Sequence, residues 1–163
     1  MPIADDPEAQ TRLRQAYTHA LQTGARTWRR AANAVAEVHG LSDATAYPLV
    51  MIGRLAGERR QNAVAEAVGI EGPSLVRLLD QLAAAGLVVR REDPSDRRAK
   101  VLNLTPRGHA MVAQIEAELA TLRARLFAGV SAADLEASLR VFAALQAYGR
   151  DPGPNGTKQE SVA

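Results

Sequence analysis

A long apolar stripe near the start of the chain limits its possible folds more than any other feature of the sequence. Apolar and small side chains recur there at steps of three and four residues, the period of an amphipathic α-helix; they are Leu13, Tyr17, Ala20, Leu21, Ala25, Trp28, Ala32 and Val35. Asp6-Pro7 is typical of a helix start and Gly40 of a helix end, so we predict one helix between them. Such a stripe, about seven turns long, needs a second apolar surface to cover it.

Two further amphipathic helices are predicted near the other end of the chain. Thr105-Pro106 begins one, with Met111, Ile115, Leu119, Leu122 and Leu126 on its apolar face. Ser131 begins the other, with Leu135, Leu139, Phe142 and Leu145. The region between the long helices is too short to cover all three stripes, so we predict a homodimer in which the terminal helices of two chains intertwine. A monomeric bundle folded back on itself is the alternative.

The segment QNAVAEAVGIEGPSLVRLLDQL, residues 61–82, has the spacing of a helix-turn-helix. Gly69 allows a left-handed turn, and Pro73 begins the second helix. One face of that helix is apolar, with Leu75, Leu78, Leu79 and Leu82. Another face carries groups that contact phosphates and base edges in the major groove of DNA, from Ser74, Arg77 and Gln81. An ordinary solvated face is the alternative for these three residues.

A β-hairpin is predicted directly after this motif, between the apolar segments 87–89 and 101–104, with Asp93-Pro94 at its turn. A hairpin in this position is a wing, which lies beside the recognition helix and can reach a minor groove. The net charge of the chain is only +2, so a DNA-binding surface has to come from local basic clusters such as this one. The predicted DNA contacts of the wing are Arg90, Arg91, Arg97, Arg98 and Lys100, with Asp96 placed to hold Arg98. A solvated loop with compensating charges is the alternative for Glu92 and Asp93.

Composition argues against several classes of protein. The chain has 163 residues, about the length of one domain, and no cysteine, which rules out disulfides, a thiol nucleophile and a thiolate-bound metal. We expect a cytoplasmic protein with no membrane partner, because no apolar run approaches a membrane span and the first residues do not resemble a signal peptide. We also expect neither an enzyme nor a bound metal or cofactor, because no nucleophile–base pair or phosphate-binding glycine loop is present and the histidines are far apart, at His19, His39 and His109.

The segment GIEGPSLVRLLDQLAAAGLVVRREDPSDRRAKVLNLTPRG, residues 69–108, resembles the winged-helix core of the MarR family of transcriptional regulators. Within it, PSLVRLLDQL and SDRRAK are especially similar to the SlyA-type branch. The order of helices extends the resemblance over roughly residues 10–148. The resemblance implies a homodimer that binds a pseudo-palindromic operator in double-stranded DNA, usually as a repressor, and that is often released by a small phenolic or aromatic acid.

The same resemblance implies roles for individual residues. Arg98 matches the arginine that contacts the minor groove, and Asp96 matches the acid that supports the wing. The positions of the recognition helix are matched by Pro73, Ser74 and Arg77. Gly72 stands where the SlyA-type branch has a bulkier polar residue, so its base preference does not carry over to this chain.

The resemblance also implies an effector pocket where the dimerisation helices meet the winged domain. Aromatic residues make up only 4% of the chain, but Tyr17 and Trp28 share one face of the first helix, and Tyr47 and Met51 share one face of the second. We expect an aromatic carboxylate or phenol to bind beside these four residues, with its charge on one of the nearby arginines Arg14, Arg29 or Arg107. Plain core packing is the alternative for Trp28 and Tyr47.

We therefore predict a mainly α-helical chain with a small β-hairpin wing, in which a winged helix-turn-helix is flanked by dimerisation helices. The predicted parts are an N-terminal dimerisation helix (1–40), a winged helix-turn-helix (41–105), C-terminal dimerisation helices (106–148) and a disordered tail (149–163). The predicted function is that of a sequence-specific DNA-binding regulator. The alternatives are a winged helix that binds proteins, or a regulator with no small-molecule effector; arginines on both the helix and the wing favour DNA.

Overall fold

The computed structural model describes residues 6–55, 59–93 and 100–150. These residues form α1 (Pro7–Val38), α2 (Asp43–Arg54), α3 (Gln61–Val68), α4 (Gly72–Ala84), β1 (Val88–Glu92), β2 (Lys100–Leu104), α5 (Pro106–Leu126) and α6 (Ala132–Arg150). The predicted class, mainly α-helical with a small β-hairpin, is confirmed. Of the helices described, none combines the length and the apolar character that a membrane span requires.

The long first helix begins and ends where its terminal residues predict. The Asp6 carboxylate accepts a hydrogen bond from the Glu8 backbone N–H (2.9 Å). Pro7 lies in the first turn, where its missing N–H removes no helical hydrogen bond. Gly40 adopts a φ of +71°, a left-handed conformation that ends the helix without strain in a residue lacking a Cβ. Between these ends α1 runs for 32 residues.

α2 contributes to two groups of buried side chains. Leu49 and Ile52 pack with residues of α3, α4 and the wing region, which are Val64, Ala65, Leu75, Leu79, Leu82, Leu87, Val88, Leu102 and Leu104. Ala46 and Val50 pack with residues of α1 and α5, which are Ala36, Ile115, Leu119 and Leu122. These two pairs of α2 residues lie on different sides of the helix. α2 therefore joins the winged module to the long helices.

The sheet of the wing is extended by the chain that precedes α3. β1 and β2 pair in antiparallel fashion, with Arg91 opposite Val101. On the other side of β2, Arg60 forms an antiparallel bridge with Val101, and the Leu102 N–H donates to the Arg59 carbonyl oxygen (2.9 Å). The helix-turn-helix and the wing thus share backbone hydrogen bonds as well as a core.

The first turn of α5 lies directly against the end of the winged module. The Thr105 hydroxyl accepts a hydrogen bond from the Gly108 N–H (2.9 Å), as expected of the cap that Thr105-Pro106 predicts. A Cβ added at Gly108 would lie 2.0 Å from the Leu87 carbonyl oxygen. Glycine at this position therefore allows the backbone of α5 to approach the chain just before β1.

The chain divides into two compact units, residues 1–122 and 123–163. The first contains α1 to α4, the wing and most of α5, and the second contains the end of α5 and all of α6. α6 continues to Arg150, beyond the predicted end at 148. The rest of the predicted tail, 151–163, lies outside the described residues.

Candidate nucleic-acid interface

α4, the predicted recognition helix, buries one face in the winged module and exposes another. Leu75, Leu79 and Leu82 are at most 1% exposed. The predicted DNA contacts of this helix are all exposed: Pro73, Ser74, Arg77 and Gln81. The division follows from the helical period, which places these two sets of positions on different arcs. The predicted amphipathic character of α4 is confirmed, and DNA contact by its exposed face stays a prediction.

The turn before α4 presents the start of this helix at the surface. α3 ends at Gly69, whose φ of +74° would be strained in a residue with a Cβ. The Ile70 N–H donates to the Ala65 carbonyl oxygen (3.1 Å), which closes the turn. Pro73 lies in the first turn of α4. The free N–H groups of a helix start, together with the Ser74 hydroxyl, are donors suited to a phosphate.

Arg90 in β1 is held by α4. Its guanidinium donates to the Asp80 carboxylate (2.5 Å) and to the Val76 carbonyl oxygen (3.2 Å). Asp80 lies three residues after Arg77 and directly before Gln81, so its negative charge is beside the exposed face of α4. The sequence predicted Arg90 as a phosphate contact, whereas in the structure its guanidinium is engaged within the fold. Arg90 places β1 on α4 and neutralises the Asp80 carboxylate.

The other basic residues of the wing strands are exposed. Arg91 points to the opposite side of β1 from Arg90, because successive strand residues alternate. The Lys100 Nζ lies 3.2 Å from the Glu92 carboxylate. An exposed pair of this kind contributes at most about 1 kcal/mol, so Lys100 can exchange Glu92 for a phosphate. The predicted tip residues lie outside the described residues: Asp96, Arg97 and Arg98.

An ion pair that no sequence pattern predicted holds the base of the wing. The Arg60 Nε donates to the Asp93 Oδ2 (2.8 Å), and the Asp93 side chain is 1% exposed. Arg60 directly precedes α3, so the pair ties the wing to the first helix of the helix-turn-helix. The alternative of a solvated loop is wrong for Asp93, because a carboxylate buried to this degree requires partners. The two partners are 33 residues apart in sequence, and only the fold brings them together.

The first unit also contains a cleft of about 670 Å³, bounded by α1, α2, the α3–α4 turn and α4. Its lining residues are Arg26, Arg29, Arg30, Asn33, Asp43, Ala44, Tyr47, Pro48, Val68, Gly69, Ile70 and Leu78. Burial raises the pKa of the Asp43 carboxyl, and the positive charge of Arg29 opposes this rise. The cleft combines arginines from α1 with apolar side chains from α2, α3 and α4, which suits an organic anion.

The four predicted effector residues are not brought together. Tyr47 lines the cleft, whereas Tyr17, Trp28 and Met51 are not among the described lining residues. Trp28 packs against the buried group formed by α1, α2 and α5, as its core-packing alternative required. Tyr17 lies three turns earlier on α1, roughly 16 Å away along the helix, too far for one small ligand to touch both. Met51 is half-buried, one turn after Tyr47.

The other side chains considered for a ligand or a metal are mostly bound within the fold. The Arg107 guanidinium donates to the Ala85 carbonyl oxygen at the end of α4 (3.1 Å). Arg14 donates to Gln10 (3.0 Å), and Arg29 is the one predicted carboxylate anchor that lines the cleft. His39 Nε2 lies 2.9 Å from the Glu118 carboxylate. In the described ranges, no three His, Cys, Asp or Glu side chains are grouped so as to hold a metal ion.

Known proteins resemble this chain in both sequence and structure. A sequence model of the MarR family matches residues 39–99. The transcriptional regulator PA3341 is 33% identical, over 82% of this chain and 98% of its own, with a TM-score of 0.76. A MarR-family regulator from Rhodococcus sp. RHA1 is 25% identical over 82% and 94%, with a TM-score of 0.71. The transcriptional repressor CouR, bound to a 23-mer DNA duplex, is 28% identical over 82% and 94%, with a TM-score of 0.72.

The identity to PA3341 extends over nearly the whole length of that regulator, and the family match covers the helix-turn-helix. The chain belongs to the MarR family. As a MarR-family protein it is a DNA-binding transcription regulator, and its exposed α4 face and wing are the elements that a winged helix presents to DNA.

In this MarR-family regulator we expect Arg90 to support DNA binding indirectly. Arg90→Ala leaves the Asp80 carboxylate uncompensated beside Arg77 and loosens β1 from α4, so affinity for specific DNA should fall by about tenfold. Adding Asp80→Asn removes the repulsive charge and should recover part of this loss. The slope of log affinity against log salt should stay unchanged in Arg90→Ala, because no phosphate contact is lost. Fluorescence anisotropy at several salt concentrations measures both quantities.

The matched control is Arg91→Ala, which removes an exposed guanidinium from the next position of the same strand and should lower the salt slope by about one charge. If Arg90→Ala lowers the slope by the same amount and its effect is simply additive with that of Asp80→Asn, Arg90 contacts a phosphate directly and the indirect role is wrong.

Proposed function

We propose that this MarR-family regulator is a repressor that binds an inverted-repeat operator as a homodimer and leaves it when a small aromatic acid binds. The observation that carries the proposal is the exposed face of α4, presented next to a basic wing in a fold shared with a 28% identical repressor that is bound to a DNA duplex. In this proposal Ser74 and Arg77 enter the major groove, and Arg98 reaches the minor groove. The segments PSLVRLLDQL and SDRRAK support a place in the SlyA-type branch.

The proposed dimer is supported by the apolar side chains that α6 exposes. Leu135, Leu139, Phe142 and Leu145 are each at least 36% exposed. They lie within about 120° of arc on the helix, so they form one stripe. An apolar stripe is unfavourable in water, and a second copy of the chain covers it with an identical stripe about a two-fold axis. Two recognition helices then meet successive major grooves about 34 Å apart.

The proposed release by an effector is supported by the position of the cleft. Tyr47 lines one side of it, and Leu78 of α4 and Ile70 of the α3–α4 turn line another. A ring that stacks on Tyr47 therefore contacts the recognition helix as well as α1 and α2. The four effector residues predicted from sequence lie on α1 and α2 alone, whereas this cleft is also lined by a residue of the recognition helix. Because both recognition helices must match grooves one turn apart, a shift of a few ångströms weakens binding.

Two arginines test the separation between base reading and phosphate binding. Arg77→Ala should cost roughly 1–3 kcal/mol at the operator and relax base discrimination at one position of each half-site. Arg91→Ala should weaken binding to operator and unrelated DNA alike, because a phosphate carries no sequence information. An operator is first selected from random-sequence DNA. Both variants are then titrated against the operator and a scrambled duplex, which gives the ratio of specific to nonspecific affinity for each variant. An unchanged specific-to-nonspecific ratio in Arg77→Ala would show that Arg77 does not read a base.

A second test concerns the dimer. Leu139→Glu should weaken self-association by at least about tenfold, because it places an unpaired carboxylate in an apolar interface. Leu139 is 65% exposed in the single chain, so the variant should retain its helix content. Ala137→Glu introduces the same residue on the other side of α6 and is the matched control. Sedimentation equilibrium at micromolar concentration measures the dimer dissociation constant of each variant. Equal constants for the two variants would contradict the proposed interface. A wild-type monomer that binds the inverted repeat tightly would contradict it as well.

A third test concerns release. A ligand that lowers operator affinity a hundredfold must, by reciprocity, bind about a hundredfold more weakly when operator saturates the protein, a coupling of about 2.7 kcal/mol. We expect this of 2-naphthoate titrated with and without operator. Tyr47→Ala should weaken its binding, whereas Tyr47→Phe, which keeps the ring, should retain most of it. Equal ligand affinity with and without DNA would reject the release mechanism and leave DNA binding intact.

A further inference from the structure

The cleft beside Tyr47 carries an excess of positive charge. Arg26, Arg29 and Arg30 of α1 all line it, and their spacing of three and four residues puts them on one face of that helix. Among the described residues, Arg26 and Arg30 form no ion pair. Arg29 interacts with Asp43, the one carboxylate among the described lining residues. Three neighbouring guanidiniums with one acidic group repel one another, and an anion relieves that repulsion.

The side of the cleft across from the arginines adds a further positive influence. Asp43 and Ala44, the first residues of α2, line it. The N-terminus of a helix carries a partial positive charge and favours anions nearby. The Asp43 N–H is already occupied, because it donates to the Asn33 side-chain oxygen (2.8 Å), which ties α2 to α1. This hydrogen bond fixes the start of α2 against the face of α1 that carries the arginines.

The remaining lining is apolar and the cleft is large. Pro48, Val68, Ile70 and Leu78 contribute hydrocarbon surface near the Tyr47 ring. A volume of about 670 Å³ lies in the middle of the range of roughly 300–1,000 Å³ found for sites of drug-sized ligands. A single-ring acid with one carboxylate would fill a small part of this cleft and pair with one arginine.

We propose that the ligand of this cleft is an organic acid with an extended apolar body and at least two negative charges, held by the arginines Arg26, Arg29 and Arg30. This inference rests on the proposed function, in which the cleft holds the effector. Guanidinium binds a carboxylate through two parallel hydrogen bonds, so each anionic group of the ligand occupies about one arginine. The apolar body lies over Tyr47 toward Leu78.

A matched pair of compounds tests the charge requirement. 2-Naphthoate and 2,6-naphthalenedicarboxylate share the same rings and differ by one carboxylate. In isothermal titration calorimetry of the full chain without DNA at low salt, the dicarboxylate should bind about tenfold more tightly, because its second carboxylate accepts charge-assisted hydrogen bonds from a second guanidinium. The advantage should shrink as salt rises, because the three arginines are exposed and salt screens their charges.

Variants of α1 show where the second charge is bound. The double variant Arg26→Gln/Arg30→Gln should bind the two compounds with equal affinity. Arg14→Gln removes one positive charge from α1 at a position outside the cleft lining, and it should keep the tenfold ratio. Circular dichroism confirms that the helix content of each variant is unchanged.

The outcomes separate this inference from the proposal on which it rests. Equal affinity of the wild-type chain for both compounds at low salt would overturn the charge requirement and leave the effector cleft standing. A tenfold ratio that survives in Arg26→Gln/Arg30→Gln would place the second charge elsewhere and overturn the assignment of these arginines. If neither compound binds the wild-type chain, the effector cleft itself is rejected, while operator binding and its dependence on Arg77 are unaffected.

Discussion

The burial of the leucine face of α4 is the interaction on which the rest of the winged module depends. Leu75, Leu79 and Leu82 pack with α2, α3 and the wing region and are almost completely removed from water. At roughly 1.5–3 kcal/mol for each buried leucine, this packing fixes the rotation of α4 about its own axis. The rotation in turn decides which polar side chains are presented outward. A turn of α4 by one residue, about 100°, would carry Arg77 toward the core, so the surface that reads DNA is set by the packing beneath it.

Apolar packing alone does not place the wing, because two arginines connect it to different helices of the helix-turn-helix. Arg90 joins β1 to the middle of α4 through Asp80, and Arg60 joins the chain before α3 to the end of β1 through the buried Asp93. A hairpin of two strands is only marginally stable by itself. Polar contacts to α4 and to the chain before α3 fix the described strands of the wing against the helix-turn-helix. A fixed distance between α4 and the wing is what simultaneous contact with a major and a minor groove requires.

The features predicted from sequence were those that are encoded locally. The start of α1 at Asp6-Pro7, the cap of α5 at Thr105 and the amphipathic face of α4 each depend on residues within a few positions of one another. The pairs Asp80–Arg90 and Arg60–Asp93 are 10 and 33 residues apart. The residues next to each of these side chains in sequence do not indicate its partner. The structure does not bring the four predicted effector residues together, for a related reason. Tyr17 and Trp28 do share a face of α1. Helical periodicity, however, does not show that they are close enough for one ligand or which residues pack against each of them.

α2 is the element that the winged module, the long helices and the cleft have in common. Leu49 and Ile52 belong to the core of the winged module, and Ala46 and Val50 belong to the core of the long helices. Tyr47 and Pro48, between them in sequence, line the cleft. Closely packed interiors do not deform continuously, so a ligand that displaces α2 has to repack both cores together or neither. Leu78, which lines the same cleft, follows Arg77 directly on α4. In the proposed mechanism an effector and a base pair would therefore act on adjacent residues of one helix, and the coupling between ligand and operator would need no longer path than that.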